Sequence, residues 1–250
     1  MLDILKIIFC IPFLIYSCYS DIKTRRVSNN VWLVMLAGGI FFVLYDISTY
    51  GAIYLPRLFV SAGFIFVFVY ILFQFGVFGG ADAKSLIVLS IILPAYPKLL
   101  VFEYNFPLNK PLIDLFAFGI FGNAVLLTII VPISLAVYNL AKMGLHIDKP
   151  AYIFIGYKTK ISELASRHIK LIENFEVVNG AVKFRFKRGG MEINEKIISE
   201  LNVLSEKGLI KEEVWVTPGL PFMISITLGF LMAVFYGDLI FELTKYLVLK

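Results

Sequence analysis

Eight acidic residues lie in or beside the long apolar runs of this 250-residue chain: Asp3, Asp21, Asp46, Asp82, Glu103, Asp114, Asp238 and Glu242. A carboxylate near a bilayer is costly, so such residues tend to be functional or to sit at an interface. Two carboxylates held within a few ångströms cannot both ionise, and they share a proton. One then acts as a base on water, and the other as an acid that polarises a carbonyl and protonates a leaving amine. This chemistry needs neither a metal nor a covalent intermediate. Cys10 and Cys18 fall in one apolar segment. Eight residues separate them, about 12 Å along a helix, which is too far for a disulfide. They read as small buried residues. His146 and His168 stand alone in polar stretches, so neither a zinc site nor any cofactor is expected.

The elements that must position these groups follow from composition. Apolar residues make up 59% of the chain and charged residues 16%, against about 25% charged in an average soluble domain. Mean hydropathy is +0.85, and there are 24 Phe and 13 Tyr. A soluble globular enzyme, a disordered chain and a disulfide scaffold are excluded. Six apolar segments, 5–20, 31–50, 54–75, 83–100, 112–140 and 221–248, approach the length of about 20 residues that spans a bilayer. The first ends in Asp21-Ile22-Lys23-Thr24-Arg25-Arg26, a stop pattern rather than a cleavage site, so it is expected to persist in the mature protein. The expected class is a mainly α, polytopic membrane protein with six transmembrane helices and a small α+β domain inserted before the last. Helices 1–5 fall in 1–140, the soluble domain in 141–217 and helix 6 in 218–250.

Seventeen of the 23 Lys and Arg lie in the loops after segments one and three and in 141–217. The positive-inside rule then places the N-terminus outside and the insert in the cytoplasm. The net charge of +5 is thereby explained by topology, without nucleic acid. Within the insert, 161–174 reads as a helix. Residues 176–186 alternate around Asn179-Gly180, a hairpin signal. Residues 193–207 return to helical spacing, with Gly208 as the C-cap. Substrate handling or scaffolding is the expected role of this domain.

Topology sorts the carboxylates. Asp3, Asp46, Glu103 and Asp114 fall at outer, water-accessible ends, and Asp238 and Glu242 in the outer half of the last span. Only Asp21 and Asp82 end or begin spans on the cytoplasmic side, where a bundle brings them to one depth. The bland alternative is that Asp21 caps a polar loop and Asp82 a helix start. Gly79 and Gly80 let the backbone bend and offer unpaired groups to an extended peptide. The Pro218–Pro221 turn either helps to shape the site or merely breaks the chain before the last helix. Lys84 points about 200° away from Asp82 on a helix and reads as an interface anchor. Trp32 and Trp215 suit interfacial belts, while Glu163, Glu173 and Glu176 read as solvated.

Four features together carry a family resemblance. Asp21 is followed by basic residues and Ser28-Asn29-Asn30. Gly79-Gly80-Ala81-Asp82-Ala83-Lys84 opens the fourth segment, and Pro218-Gly219-Leu220-Pro221-Phe222 opens the last. The fourth feature is the six-span plan with one insert. The chain resembles the GxGD intramembrane aspartic proteases and is most similar to archaeal preflagellin peptidases, relatives of bacterial prepilin peptidases. Ala81 departs from the motif, standing where its second glycine would be. The resemblance implies Asp21 and Asp82 as the catalytic pair. It also implies Gly79, Gly80, Pro218 and Pro221 as substrate-side residues, and no cofactor. The implied partner, besides the lipid bilayer, is a preflagellin (archaellin) or prepilin-like precursor with a short basic class III leader, cut where that leader meets an apolar helix. The cysteine-rich and methyltransferase parts of many bacterial relatives are absent, which favours a peptidase alone. Near a helix N-terminus, Asp82 is expected to be the more ionised partner, and Asp21, near a helix C-terminus, the proton carrier. The competing function is a small proton-coupled transporter that uses the aspartates as a relay. It predicts deeper polar residues and symmetric halves, and neither is evident.

Overall fold

Apolar segments in lipid must satisfy their own backbone hydrogen bonds, which makes them helical. The computed structural model describes residues 2–76, 79–101, 103–109, 111–144, 149–166, 169–178, 181–219 and 221–248. The chain forms α1 (Leu2–Thr24), α2 (Asn29–Tyr50), α3 (Tyr54–Gln74), α4 (Gly80–Ile92), the strands β1 (Leu99–Val101) and β2 (Tyr104–Phe106), α5 (Phe116–Thr128) and α6 (Ile130–Met143). There follow β3 (Tyr157–Lys160), β4 (Ile169–Val178), β5 (Ala181–Glu192), α7 (Glu195–Glu206), β6 (Glu213–Pro218), α8 (Phe222–Phe235) and α9 (Leu239–Val248). They divide into two compact units, Met1–Thr128 with Pro221–Lys250, and Ile129–Leu220.

Leu2–Thr24, the 46-residue stretch Asn29–Gln74 and Phe116–Met143 are long and apolar enough to cross a membrane. Phe222–Phe235 with Leu239–Val248, bent by 69°, makes a fourth candidate. This differs from six separate spans, for local reasons. Segments two and three form one stretch broken only by the 3-10 turn Gly51–Ile53, at a glycine with φ +66°. Segment four yields only the 13-residue α4, about 20 Å long. It ends at Ile92 because Leu93, which precedes Pro94, is extended (φ −127°, ψ 77°). Residues 93–98 form a loop, and the β1–β2 hairpin begins at Leu99, at the very end of that segment.

In the helical unit, α5 packs on α8, and α4 on α2, α3 and α5. The shared core includes Leu14, Met35, Ile65, Leu86, Phe116 and Phe230. Gly229 permits the α5–α8 approach, since a Cβ there would lie 2.6 Å from the Ile120 carbonyl oxygen. The α8–α9 break is held by the buried Asn123. Its amide donates to the Gly237 carbonyl (2.8 Å) and its oxygen accepts from Leu239 N (2.8 Å). Large apolar side chains face outward, Phe41 at 75% and Phe59 at 70% exposure. That is the pattern of a lipid-facing surface rather than a wetted one.

In the second unit the strands run in the order β3-β6-β4-β5, all antiparallel. The helix expected over 161–174 is instead a short 3-10 turn, Ile161–Ser166, followed by β4. Ile169 and Leu171 pair with Pro218 and Val216 of β6, and Leu171 packs against Val214 and Leu201. Sheet pairing overrides the helical spacing. β4 and β5 pair closely up to Val178 and Ala181, while the Asn179-Gly180 turn lies outside the described residues. α7 starts at the Asn194 cap, which accepts from Ile197 N (2.9 Å), and Gly208 follows it with φ +67°.

Candidate active site

Asp21 lies in the last turn of α1, half-buried. Its Oδ2 accepts a hydrogen bond from Met223 N at 3.3 Å. Met223 belongs to the first turn of α8, whose leading N–H groups have no partner within the helix. Pro221 sets this up as the residue before the helix, extended at φ −75° and ψ 99°. Asp21 therefore caps α8 from another helix. Cys18, one turn earlier, secures the junction. Its Sγ donates to the Met223 carbonyl (3.3 Å) and lies 3.0 Å from Thr227 Oγ1, which donates to the same carbonyl (2.9 Å). Reading Cys18 as merely a small buried residue missed this. The i, i+3 spacing from Cys18 to Asp21, which puts both on one face of α1, was the available signal.

Asp82 is the third residue of α4 and only 8% exposed. Its Oδ2 accepts from Gly79 N at 3.1 Å, and Ser85 Oγ donates to its carbonyl (2.7 Å). Gly79 is extended (φ −75°, ψ 154°) and Gly80 is helical. Neither glycine is there for a left-handed backbone. The reason at position 79 is steric, because a Cβ would sit 2.9 Å from Asp82 Oδ2. At position 80 the nearest atom is 3.9 Å away, on Phe73. Phe78 lies outside the described residues.

The two aspartates come from separate helices, Asp21 from the last turn of α1 and Asp82 from the first turn of α4, and both helices pack on α8. Both carboxylates are held by backbone amides at a helix N-terminus, Asp82 on its own helix and Asp21 at α8. The helix-dipole reason for ranking Asp82 as the more ionised therefore disappears. Pro221 is brought to Asp21 through Met223. Pro218 closes β6 in the other unit, and Leu220 lies outside the described residues. Lys84 donates to Asn29 Oδ1 at 2.6 Å, tying α4 to the start of α2. Ser28 caps α2 through Asn30 N (3.3 Å).

The remaining candidates are placed elsewhere. Asp46, expected at a wetted end, is 2% exposed and paired with Lys6, itself 3% exposed. Asp3 accepts from Lys98 N (3.0 Å) and Asp114 from Tyr96 N (3.0 Å). Asp238 caps α9 through Phe241 N (3.1 Å), and Glu242 lies 3.9 Å from Lys245. Trp32 and Trp215, expected in interfacial belts, are both core residues. Glu173, expected to be solvated, is buried and paired with Lys149. Burial, and then the Glu173 carboxylate, hold the Tyr152 phenol above its ordinary range. Glu163 accepts from Thr159 Oγ1 at 3.3 Å, whereas the side chain of Glu176 lies outside the described residues, as do His146 and His168. Among the described residues no group of three His, Cys, Asp or Glu is placed to hold a metal ion.

Residues 8–133 match the profile of the type IV leader peptidase family, and residues 148–239 match that of the archaeal peptidase A24 C-terminus, type II. The preflagellin peptidase of Methanococcus voltae is similar over 237 residues at 29% identity, covering 92% of this chain and 94% of the relative. The preflagellin peptidase of Methanocaldococcus jannaschii is 26% identical over 245 residues, 93% of each chain.

Proposed function

Because the chain belongs to the type IV leader peptidase family, we propose that it is a membrane-embedded aspartic endopeptidase that removes the short basic leader from preflagellin and pilin-like precursors. The observation that carries this reading is that each carboxylate is oriented by a backbone amide at a helix N-terminus, Asp21 by Met223 N of α8 and Asp82 by Gly79 N of α4. In the active state the pair holds one proton. The ionised carboxylate takes a proton from water as its oxygen attacks the scissile carbonyl carbon. The protonated partner donates to the carbonyl oxygen, giving a tetrahedral diol. That diol collapses as the C–N bond breaks: the leaving nitrogen takes a proton from the protonated carboxyl, while one diol hydroxyl gives its proton to the ionised partner as the product carboxyl group forms. One water is consumed and the shared proton is restored.

The proposed arrangement is six spans, the fourth built from the short α4 and the loop that follows it, with the N-terminus outside and 141–217 as a cytoplasmic domain. Asp21 and Asp82 then meet the precursor at the cytoplasmic face, where a basic leader gives way to an apolar helix. The 46-residue stretch Asn29–Gln74 supports this count. At about 69 Å it is twice the bilayer core, and α2 and α3 pack on each other. Gly79 and Gly80, beside Asp82, and Pro218 and Pro221, before α8, are the proposed substrate-side positions.

The test is incubation of the full chain in detergent with a C-terminally tagged preflagellin, with the product identified by intact mass. Loss of the leader at one bond is expected, whereas an unaltered precursor contradicts the reading. The rate should be bell-shaped in pH, lost at low pH when both carboxylates are protonated and at high pH when both are ionised. A rate that rises monotonically with pH would rule out a shared-proton pair.

A further inference from the structure

At the other end of the helical unit from Asp21 and Asp82, the start of α1, the end of α2, the start of α3 and the segment after α4 enclose a cavity of about 490 Å³. Asp3, Lys6, Asp46, Tyr54, Arg57 and Lys98 are among the residues lining it. Asp21 is fifteen residues beyond Lys6 on α1, about 22 Å along the axis, so the cavity is separate from the proposed catalytic pair. Its floor is neutral, because the buried Lys6 and Asp46 compensate each other. Its rim carries two cations, Arg57 and Lys98, and one carboxylate, Asp3, which accepts from Lys98 N. Arg57 is exposed and reaches Asp114 from one side only, Nη2 to Oδ2 at 3.2 Å. Lys98 is exposed, and its ammonium makes no ion pair among the described residues. Around the rim the surface turns apolar and aromatic. Ile53 is 87% exposed, and Tyr50 stacks on Tyr54 with ring centroids 6.4 Å apart. Tyrosines at helix ends mark the headgroup level of a bilayer.

From this juxtaposition we infer that the cavity is a binding site for the phosphate headgroup of an anionic phospholipid. Arg57 and Lys98 contact the phosphate, the neutral floor accommodates the polar remainder of the headgroup, and the acyl chains lie along the apolar surface beside Ile53. Cations at the headgroup level attract anionic lipid at close range, and the fork of an arginine suits a phosphate. The site is independent of the proposed peptidase chemistry.

Native mass spectrometry of the delipidated full chain, re-exposed to equal amounts of dioleoyl phosphatidylglycerol and dioleoyl phosphatidylcholine, tests the site. Selective retention of phosphatidylglycerol is expected, falling about tenfold or more in Arg57→Gln/Lys98→Gln and unchanged in Lys245→Gln, which removes a basic side chain on α9. Equal retention of both lipids, or a double variant that retains as much as the unsubstituted protein, overturns the proposal. So does an equal loss in Lys245→Gln, which would show only general surface charge. Inorganic phosphate supplies the last arm. If it raises the melting temperature of lipid-free protein as much as phosphatidylglycerol does, the site belongs to a free anion rather than a lipid.

Discussion

Gly79 and Gly80 are adjacent in sequence but have different reasons to be glycine. A methyl group at 79 meets the Asp82 carboxylate at 2.9 Å, whereas one at 80 has free space. Gly79→Ala should displace Asp82 without unfolding α4. Because a misplacement near 1 Å can cost about a hundredfold in rate, kcat should drop by that order with the melting temperature unchanged. Gly80→Ala leaves Asp82 in place and should lose less of kcat than Gly79→Ala, any loss appearing mainly in KM at this substrate-side position. Equal behaviour of the two variants in a leader-removal assay would remove the steric argument. At this scale the sequence was informative about residue type and position but not about contacts. Asp21 and Asp82 stand out because costly carboxylates flank apolar runs with basic residues nearby. That Asp21 accepts from Met223 N was not legible, since the donor lies 202 positions away and nothing local announces it. The same holds for Lys6 and Asp46, whose pairing spans 40 positions.

Helix termini and breaks position the site. The first turn of α8 supplies the amide for Asp21, that of α4 holds Asp82, and Lys84 links α4 to the start of α2. At the other end, the buried Lys6–Asp46 pair joins α1 to α2. Removing one member leaves an uncompensated buried charge, so Lys6→Met should cost about 3–5 kcal/mol of stability, and Lys6→Met/Asp46→Leu should recover most of it. Thermal unfolding in detergent measures both, and a double variant no more stable than Lys6→Met would refute the pairing argument. Long apolar runs and the Gly208 boundary of α7 were readable from local pattern. The β4 strand was not, because Ile169 and Leu171 suit a helix face as well as a sheet, and only pairing with β6 decides. Segment four looked long enough to span, but Pro94 stops the helix at Ile92.

At the scale of the whole molecule, 59% apolar residues already pointed to a membrane protein, and the exposed Phe and Leu side chains of the helical unit fit a lipid solvent. Orientation is a further proposal resting on the distribution of Lys and Arg. An impermeant thiol reagent applied to right-side-out vesicles should label Ile53→Cys from outside. It should reach Lys23→Cys and Lys84→Cys only after the vesicles are opened. Labelling of 23 and 84 from opposite sides would separate Asp21 from Asp82 and dismantle the proposed site. The most direct measurement is leader removal by purified, folded Asp21→Asn and Asp82→Asn, each compared with the unsubstituted chain on the same tagged preflagellin. Asparagine keeps the size of the side chain but can neither give nor take the proton, so the account predicts that each single substitution abolishes cleavage. Substantial cleavage by either variant would contradict it.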